Sequence, residues 1–204
     1  HAQAGALLSV IANRAMEAEL TGFEFAAGIP GTLGGACVMN AGAYGGEMKD
    51  VLETVTVLTR DGDVKTLTKD ELELGYRTSV IAKKDYIALS AVIRLENGKK
   101  EEIKAVMDDL KEKRITKQPL EYPSAGSTFK RPEGYFAGKL IQDAGLRGFQ
   151  VGGAQVSEKH CGFVVNKDQA TAADVMNLMN QVSDKVYEMS GVRLEPEVKR
   201  LGVF

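Results

Sequence analysis

The chain has 204 residues, of which 44% are hydrophobic and 26% are charged, the balance of an ordinary globular protein with one or two domains. Its 26 basic and 28 acidic residues leave a net charge of -2, which gives no overall positive field to attract a nucleic acid or an anionic membrane. No apolar run approaches the length of a membrane-spanning helix. We therefore expect a protein that binds neither nucleic acid nor a membrane.

Metal sites and disulfides are not indicated by the composition. The two cysteines, Cys37 and Cys161, are too few for a disulfide framework, and we expect reduced thiols. The histidines are His1 and His160, and no group of cysteines and histidines has the spacing of metal ligands. We predict that the chain holds no metal and that His160 has a structural role.

The first half of the chain mixes predicted helices and strands. Apolar residues at helical spacing, with Leu7 and Val10 or Ile11 on the inner face, predict a helix over residues 5–20 that ends at Gly22. A glycine-rich segment follows, which we expect to be irregular. The remaining predictions, in chain order, are a hairpin of strands over 53–59 and up to Thr66, a short helix opened by a capping box at Thr68 and Glu71, a half-buried strand over 86–95 and a helix over 103–114.

The segment TKQPLEYPS, residues 116–124, has two prolines and no periodicity, so a domain boundary is predicted there. The predicted elements beyond it are a strand over 127–130, a helix from Phe136 that ends at Gly145, strands over 149–156 and 161–166, a helix opened by Thr171 and Asp174, and a closing strand over 194–201. The predicted class is α+β in two lobes, divided near residues 115–120.

The stretch GIPGTLGGACVMNAGAYGG, residues 28–46, holds seven of the 22 glycines. Its spacing does not match the G-x-G-x-x-G dinucleotide fingerprint, and no Lys-Ser/Thr follows the last glycine as in a P-loop. Such a backbone can come close to a flat ring or a phosphate and bond it through N–H groups. It can equally be a set of turns, and the composition does not decide between the two.

Three further motifs follow this stretch in order: GYRTS at 75–79, PSAGSTFKRP at 123–132 and LEPEV at 194–198. Together the four motifs resemble those of the UDP-N-acetylenolpyruvoylglucosamine reductase family, and the resemblance covers essentially the whole chain. It implies a monomeric cytoplasmic bacterial enzyme of peptidoglycan precursor synthesis, and thus of cell-wall biogenesis, cell shape and division. The enzymes of this family bind FAD non-covalently, take hydride from NADPH and reduce UDP-N-acetylglucosamine enolpyruvate to UDP-N-acetylmuramate.

The resemblance also implies a fold and a domain division. The family fold is similar to the two-lobed FAD-binding fold of vanillyl-alcohol oxidase relatives, joined to a substrate-binding α/β domain. It assigns residues 1–117 to the FAD-binding lobe, 118–191 to the substrate-binding domain and 192–204 to a strand that returns to the flavin site. The family begins with another lobe, which includes a glycine-rich loop that binds the FAD pyrophosphate, and nothing in residues 1–27 resembles this loop. We therefore expect the first lobe to be missing and FAD to bind weakly. The short segment over 76–95 matches the subtype without a substrate-covering loop.

The implied reaction defines what the site needs. Hydride addition to an enolpyruvyl double bond leaves a carbanion beside a carboxylate, which calls for cations and proton donors. By resemblance, Ser127 protonates the carbanion, Arg77 binds the carboxylate and Glu197 stabilises the enol. From the residues alone, a turn serine, an arginine at a helix C-terminus and a surface glutamate are the more common explanations. Glu195 lies on the same face of the predicted strand, and the sequence does not choose between the two glutamates.

The remaining predicted site residues also come from the resemblance. Those expected to contact the flavin are Ile29, Pro30, Gly31, Gly35, Val38, Gly42 and Lys199, the last in a place where the family commonly has arginine. Those expected to contact the substrate are Tyr44, Tyr76, Arg114 and Lys117. Two cations three residues apart suit a diphosphate, although they also suit the basic end of a helix.

Two other functions stay open at this point. One is a non-catalytic UDP-sugar-binding module without tight FAD binding, and the other is a flavin oxidase of the wider fold with a different small substrate. Ser127 together with Arg77 and Glu197 favours the reductase, because this trio suits the protonation of an enolate.

Overall fold

The structure, a computed structural model, describes residues 1–202. The chain forms two compact units, His1–Arg114 and Ile115–Phe204. Each unit combines helices with an antiparallel four-stranded sheet, which agrees with the predicted α+β class. Within residues 1–202, no helix is long and apolar enough to cross a membrane.

The first unit is built around a sheet with several short helices. Its helices are α1 (Leu8–Glu17), α2 (Leu33–Met39), α3 (Met48–Val51), α4 (Val80–Lys83) and α5 (Lys100–Lys117), and the division between the units falls in the last turn of α5. Its strands are β1 (Ala2–Gln3), β2 (Leu20–Thr21), β3 (Gly42–Ala43), β4 (Gly46–Glu47), β5 (Leu52–Leu58), β6 (Val64–Thr68), β7 (Ile87–Ile93) and β8 (Glu96–Asn97). The sheet order is β1-β7-β5-β6, and β2–β8 and β3–β4 are separate ribbons.

The core of the first unit lies between α2 and the sheet, where α2 packs on β7. Its largest fully buried side chains include Leu8, Phe23, Leu33, Met48, Leu72 and Ile81. The predicted hairpin is present as β5 and β6, with Val57 opposite Lys65. Strand β7 is also present, but Ile87 and Leu89 on its predicted inner face are 56% and 38% exposed, because the β5–β7 register shifts between Thr56 and Val57.

The first helix is shorter than predicted, and its predicted inner face is confirmed only in part, because Ile11 packs against the core and Leu7 does not. Its buried residues are Leu8, Ala12 and Ala15, whereas Leu7 is 52% exposed and Val10 is 45% exposed. The small alanines let the helix approach the core closely, so they outweigh the larger apolar residues of the neighbouring stripe. The helix ends before Glu19, which has a φ of 57°, and the predicted stop at Gly22 is wrong.

The glycine-rich stretch is not irregular throughout, because residues 33–39 form α2. A Cβ on Gly34 would lie 2.8 Å from the Ala4 side chain, so the glycine lets the helix pack directly on the N-terminal segment. Leu33, Ala36 and Cys37 are buried on this helix. Packing, rather than helix propensity, therefore stabilises a helix of only seven residues.

The short helix predicted after Thr68 does not form. The backbone N–H and hydroxyl of Thr68 both donate to the Glu71 carboxylate at 2.8 Å, and a single i→i+4 bond from Leu72 to Thr68 closes one turn. The helix of this region is α4 instead, where the Ser79 hydroxyl accepts a bond from the N–H of Ala82. A capping pair fixes one turn but does not make a helix without an apolar face to bury.

The second unit packs a long helix on its sheet. Its elements are β9 (Ser124–Ser127), α6 (Ala137–Asp143), β10 (Gln150–Val151), β11 (Ala154–Val156), β12 (Phe163–Asn166) and α7 (Ala172–Ser190), with sheet order β10-β11-β12-β9. The predicted capping box opens α7, since Thr171 and Asp174 bond each other's backbone. The predicted stripe on α7 packs inward, with Leu178, Val182 and Val186 buried.

Three strand predictions in the second unit are wrong. The single strand predicted over 149–156 is a hairpin, in which β10 and β11 pair antiparallel. The strand predicted over 127–130 lies over Ser124–Ser127 instead. The closing strand over 194–201 is reduced, within residues 1–202, to one bridge between Phe129 and Pro196, with one backbone hydrogen bond on either side of it. The chain divides after residue 114. The finer assignment of 1–117, 118–191 and 192–204 stays a prediction, and its last two residues lie outside the described part.

The neighbouring glycines of α2 give a matched test of this packing. Gly34→Ala should lower the free energy of unfolding by about 1–3 kcal/mol, because the new methyl collides with Ala4. Gly35→Ala should leave stability unchanged or raise it by about 0.5–1 kcal/mol, because its Cβ would meet only Thr32 Oγ1 at 3.9 Å. Urea unfolding of the two variants without ligand measures this difference. Equal stabilities would contradict the packing described for α2.

Candidate functional site

Four of the seven glycines in the stretch over 28–46 are explained by the packing of the protein itself. A Cβ on any of Gly28, Gly34, Gly42 and Gly46 would lie 3.0 Å or less from another atom of the first unit. At Gly28 that atom is Nε of Arg114, and at Gly46 it belongs to the ring of Phe25. At Gly42, which is predicted to contact the flavin, residues of the β3–β4 ribbon occupy the space where a Cβ would lie.

The other three glycines face open space. A Cβ on Gly31 or Gly45 would meet nothing within 4 Å, and one on Gly35 would meet only Thr32 Oγ1 at 3.9 Å. Gly31 and Gly35 are also exposed. This is the room that a flat ring or a phosphate needs to reach the backbone. The stretch therefore contains both packed turns and an accessible backbone.

The remaining residues predicted at the flavin differ in their surroundings. Ile29 and Val38 are partly buried against the core of the first unit, and Pro30 is exposed. Lys199 belongs to the second unit and is exposed. Of this group, Pro30 and the backbone at Gly31 and Gly35 are best placed to meet a ligand.

Tyr44 lies at the tip of the β3–β4 hairpin. Ala43 pairs with Gly46, so Tyr44 and Gly45 are the two loop residues, and both have positive φ, at 53° and 92°. This is the conformation of a type I′ turn. The turn presents the Tyr44 side chain 43% exposed, where a substrate can contact it.

Arg77 lies in a tight turn and not at the end of a helix, which removes one interpretation of this arginine. Gly75 and Thr78 exchange backbone hydrogen bonds at 3.1 and 3.2 Å, and Tyr76 and Arg77 form the tip. The φ of Arg77 is 54°, in the left-handed region that type II turns require at their third position. The guanidinium carbon lies 5.1 Å from the centre of the Tyr76 ring, and Tyr76 is 52% exposed.

Two buried polar residues, Asn40 and Ser79, hold this turn, and the sequence analysis missed both. Asn40 Nδ2 donates to the carbonyl of Gly75 at 3.1 Å, and the Ser79 hydroxyl donates to the carbonyl of Val38 at 2.6 Å. Both side chains are fully buried. An asparagine directly after an apolar helical segment is typical of a left-handed C-cap, and this signal could have identified Asn40.

Arg114 and Lys117 lie in the last turn of α5, at positions that share a face of the helix. The Arg114 side chain passes over the backbone of Gly28, with Nε 3.0 Å from where a Cβ would be. The structure thus places one predicted substrate cation against the glycine-rich stretch. Lys117 is exposed, and its position fits a helix end as well as a diphosphate.

Ser127 and Glu197 are brought close together within the second unit. Ser127 ends β9, is exposed and follows Gly126, whose φ is 82°. The next residue, Thr128, is buried, and its carbonyl accepts a bond from the N–H of Glu197 at 2.9 Å. Glu197 is therefore fixed one residue along from the Ser127 backbone.

The structure also separates the two candidate glutamates. Glu195 forms an ion pair with Lys130, and its carbonyl accepts the Lys130 backbone N–H at 2.8 Å. Glu197 is less exposed than Glu195. The structure therefore places Glu195 in an exposed surface pair and Glu197 in a partly buried position. The choice of Glu197 as the catalytic glutamate stays a prediction.

Comparisons with known proteins agree with this architecture. Residues 1–68 match the family model described as FAD binding domain, and residues 118–201 match UDP-N-acetylenolpyruvoylglucosamine reductase, C-terminal domain. The UDP-N-acetylenolpyruvoylglucosamine reductase of Agathobacter rectalis is 65% identical over 203 residues, which are 100% of this chain and 65% of the relative. That of Caldanaerobacter subterraneus subsp. tengcongensis is 58% identical over 98% of this chain and 67% of the relative.

A solved structure shows the same likeness. The crystal structure of the UDP-N-acetylenolpyruvylglucosamine reductase from Thermus caldophilus superposes with a TM-score of 0.83 at 39% identity, covering 96% of this chain and 70% of that one. The chain belongs to the UDP-N-acetylenolpyruvoylglucosamine reductase family. It spans 65% of the length of the Agathobacter relative. The predicted fold, an FAD-binding domain followed by the reductase C-terminal domain, is confirmed.

The buried cysteines of this reductase-family chain are not nucleophiles. Cys37 and Cys161 are free thiols, as expected. Burial raises the pKa of Cys37 to about 12, so its thiol stays protonated and weakly reactive at neutral pH. Within residues 1–202, no group of three or more His, Cys, Asp or Glu could hold a metal ion.

His160 has the contacts of a structural residue. Its Nδ1 accepts a hydrogen bond from the N–H of Gly162 at 3.1 Å, and its ring packs edge-on against Phe163 at 5.0 Å. Gly138 lies beside the ring, since a Cβ there would be 3.4 Å from His160 Cε1. Burial, with a further contribution from the charge of Arg147, lowers the pKa of His160 from its ordinary value.

A pH dependence of stability follows from this lowered pKa. The unfolded chain binds the His160 proton more tightly than the folded chain does, so the stabilisation is fully present above the ordinary value of 6.5 and declines as the pH falls below it. The unfolding free energy of the wild type minus that of His160→Gln should therefore decrease between roughly pH 7.5 and 5.5. Urea unfolding at both pH values measures it, and a difference independent of pH would contradict the assignment.

Proposed function

We propose that the chain is the part of an FAD-dependent reductase that carries its catalytic residues. In this proposal the enzyme converts UDP-N-acetylglucosamine enolpyruvate to UDP-N-acetylmuramate in the cytoplasm, with NADPH as hydride donor, as a step of peptidoglycan precursor synthesis. The observation that carries the proposal is the order of the two matches, an FAD binding domain and then the reductase C-terminal domain. The adjacent Ser127 and Glu197 in the second unit support it.

The first unit has the features that a bound flavin requires. The backbone at Gly31 and Gly35 is exposed and has space above it, and Ile29, Pro30 and Val38 border the same segment. FAD, when bound, supplies the hydride that reduces the enolpyruvyl double bond. The role of the protein is to hold the flavin non-covalently and to orient the substrate. Lys199 is proposed to supply one positive charge at the flavin, and Gly42 is proposed to contribute through its backbone.

Arg77 is proposed to bind the carboxylate of the enolpyruvyl group. A guanidinium stays charged at every relevant pH and matches the two oxygens of a carboxylate with two parallel N–H groups. As hydride adds to the double bond, negative charge moves onto the carboxylate. A cation fixed in a rigid turn stabilises this charge without reorganising.

Ser127 is proposed to give the proton to the carbanion. A serine hydroxyl is a weak acid, so this transfer requires a strongly basic carbanion and a route by which the proton is replaced. Ser127 is exposed and follows a glycine, which leaves room for a ligand at its hydroxyl. Glu197, one residue along the neighbouring segment, is proposed to stabilise the enol form of the intermediate.

The UDP part of the substrate requires cations and flat contacts. Arg114 and Lys117 in the last turn of α5 suit the diphosphate. Tyr44 and Tyr76 are both half-exposed on tight turns of the first unit and are proposed to contact the sugar nucleotide. We assign no metal to the reaction.

The role of Ser127 can be tested by separating the two half-reactions in the presence of excess FAD. Ser127→Ala should leave the bleaching of the flavin by NADPH unchanged. Reoxidation by UDP-N-acetylglucosamine enolpyruvate should slow by roughly 10²–10⁴-fold, the usual contribution of a general acid. Stopped-flow absorbance measures both steps.

Ser124→Ala is the matched control, because Ser124 lies on the same strand and has no assigned role. Reoxidation of the flavin at the wild-type rate in Ser127→Ala would contradict the acid role. A wild-type chain that binds the UDP-sugar but holds no flavin even in excess FAD would favour the non-catalytic binding module. Reduction by NADPH without reoxidation by the enolpyruvyl sugar would favour an oxidase.

The two glutamates give a second matched pair. Glu197→Gln should slow flavin reoxidation by about 10²-fold or more, because an acid group is lost at the reacting enol. Glu195→Gln should change it by less than about threefold, since it breaks only an exposed ion pair with Lys130. The same stopped-flow measurement applies. A larger effect at Glu195 than at Glu197 would reverse the assignment.

A further inference from the structure

One buried side chain, that of Asn40, connects both predicted substrate-binding turns of the first unit. Its Nδ2 donates to the Glu47 carboxylate at 2.9 Å and to the carbonyl of Gly75 at 3.1 Å. Its Oδ1 accepts the N–H of Lys49 at 2.8 Å. Asn40 is 0% exposed, so all of these bonds are made within the protein.

The two ends of this network are the elements that carry predicted ligand contacts. Glu47 belongs to β4, whose hairpin with β3 has Tyr44 at its tip. Gly75 opens the turn that has Arg77 at its tip. The hydrogen bond from Asn40 to Gly75 spans 35 positions of the sequence. No interaction between near neighbours in the sequence can therefore replace it.

The conformation of Asn40 suits this task. Its φ of 46° makes it the left-handed C-cap of α2, a conformation that asparagine tolerates better than most residues. Its amide has both donors and an acceptor, whereas aspartate would have acceptors only. The residue that ends α2 is thus also one whose side chain can donate and accept hydrogen bonds at the same time.

Arg77 needs such support. A non-glycine residue at positive φ is strained and persists only where its surroundings fix it. The Gly75 carbonyl, to which Thr78 also donates, receives the Asn40 bond directly at the base of this turn. Without that bond, other conformations of the turn become populated.

We infer that Asn40 is a positioning residue: its amide fixes the turn of Arg77 relative to the glycine-rich stretch and so sets the affinity for the enolpyruvyl carboxylate. The inference rests on the proposed function, in which Arg77 binds that carboxylate. Asn40 itself acts through Arg77 and touches no reacting atom.

The ligand test compares two sugar nucleotides that differ in the enolpyruvyl group, which includes the carboxylate. UDP-N-acetylglucosamine enolpyruvate has this group and UDP-N-acetylglucosamine has a hydroxyl in its place, so the ratio of their dissociation constants gives the preference for the whole group. For the wild type, calorimetry should give a preference of roughly 10- to 100-fold for the enolpyruvyl sugar, the size of a charged hydrogen bond. Arg77→Ala should remove most of this preference, and the difference between the two ratios measures the contribution of Arg77.

Asn40→Gly keeps the left-handed backbone and removes only the side chain, so it should reduce this preference by about threefold or more. In the Arg77→Ala background the same change should alter the ratio by less than about twofold, because a residue that acts through Arg77 has nothing left to position. Asn40→Asp, which keeps the acceptor but loses both donors, serves as a second variant if the glycine variant unfolds.

A second readout needs no ligand and no activity. Limited trypsin digestion followed by mass spectrometry should show cleavage of the Arg77–Thr78 bond about three- to tenfold faster in Asn40→Gly than in the wild type. Cleavage at the exposed Lys99–Lys100 bond should be unchanged. Asp85→Gly is the control variant, because Asp85 also has a positive φ, of 54°, but lies outside the network.

The outcomes distinguish the positioning role of Asn40 from the proposed function of the chain. A wild-type preference that persists in Asn40→Gly, or cleavage at Arg77 no faster than in Asp85→Gly, overturns the positioning role while the proposed function stands. A wild-type chain that binds both sugars equally overturns the proposed function, and the inference with it. Loss of the preference with local cleavage at Arg77 supports both.

Discussion

The first unit depends on the close approach of backbone segments around α2. Seven residues are too few for a stable helix on their own, and this one contains two adjacent glycines. It persists because Gly34 lies against Ala4, Leu33 and Cys37 are buried, and the helix packs on β7. The same lack of side chains that permits this packing leaves the backbone open at Gly31 and Gly35. Glycines packed against other residues and glycines with open space above them therefore alternate along one stretch.

In the second unit the equivalent constraint is a short pairing around Pro196. The bonds on either side of it, from Lys130 to Glu195 and from Glu197 to Thr128, fix the C-terminal segment against the residues that follow β9. The buried Thr128 hydroxyl accepts the N–H of Val164 at 2.9 Å, which ties the same point to β12. Ser127 is thus held by its neighbours, and its own hydroxyl stays exposed.

The sequence predicted what is determined locally or by strong periodicity. The capping box at Thr171, the stripe of α7 and the β5–β6 hairpin are short-range patterns, and each is present. Helix α2 was missed because it depends on Ala4, about thirty positions away, which no window of periodicity contains. Of the predicted closing strand, only the short pairing around Pro196 forms within the described residues.

The site was predictable in a different way. The motif resemblance named Arg77, Ser127 and Glu197, but it said nothing of how each is held. The bonds from Asn40 and Ser79 span 35 and 41 positions of sequence, and only the fold reveals them. The residues alone fit either Glu195 or Glu197, and only the resemblance favours Glu197. The structure adds that Glu195 pairs with Lys130, 65 positions away.

Three of the six residues other than glycine that have a positive φ in the first unit carry or support the predicted ligand contacts. Asn40, Tyr44 and Arg77 all have φ values between 46° and 54°, and each left-handed residue other than glycine costs about 1–2 kcal/mol. A glycine at any of these positions would relieve the strain but remove the side chain. The amide of Asn40 and the two turns offset this cost by hydrogen bonding, so the tyrosine and the arginine are presented from rigid tips. In a site that must stabilise developing charge, a fixed cation is more effective than one that must first be ordered.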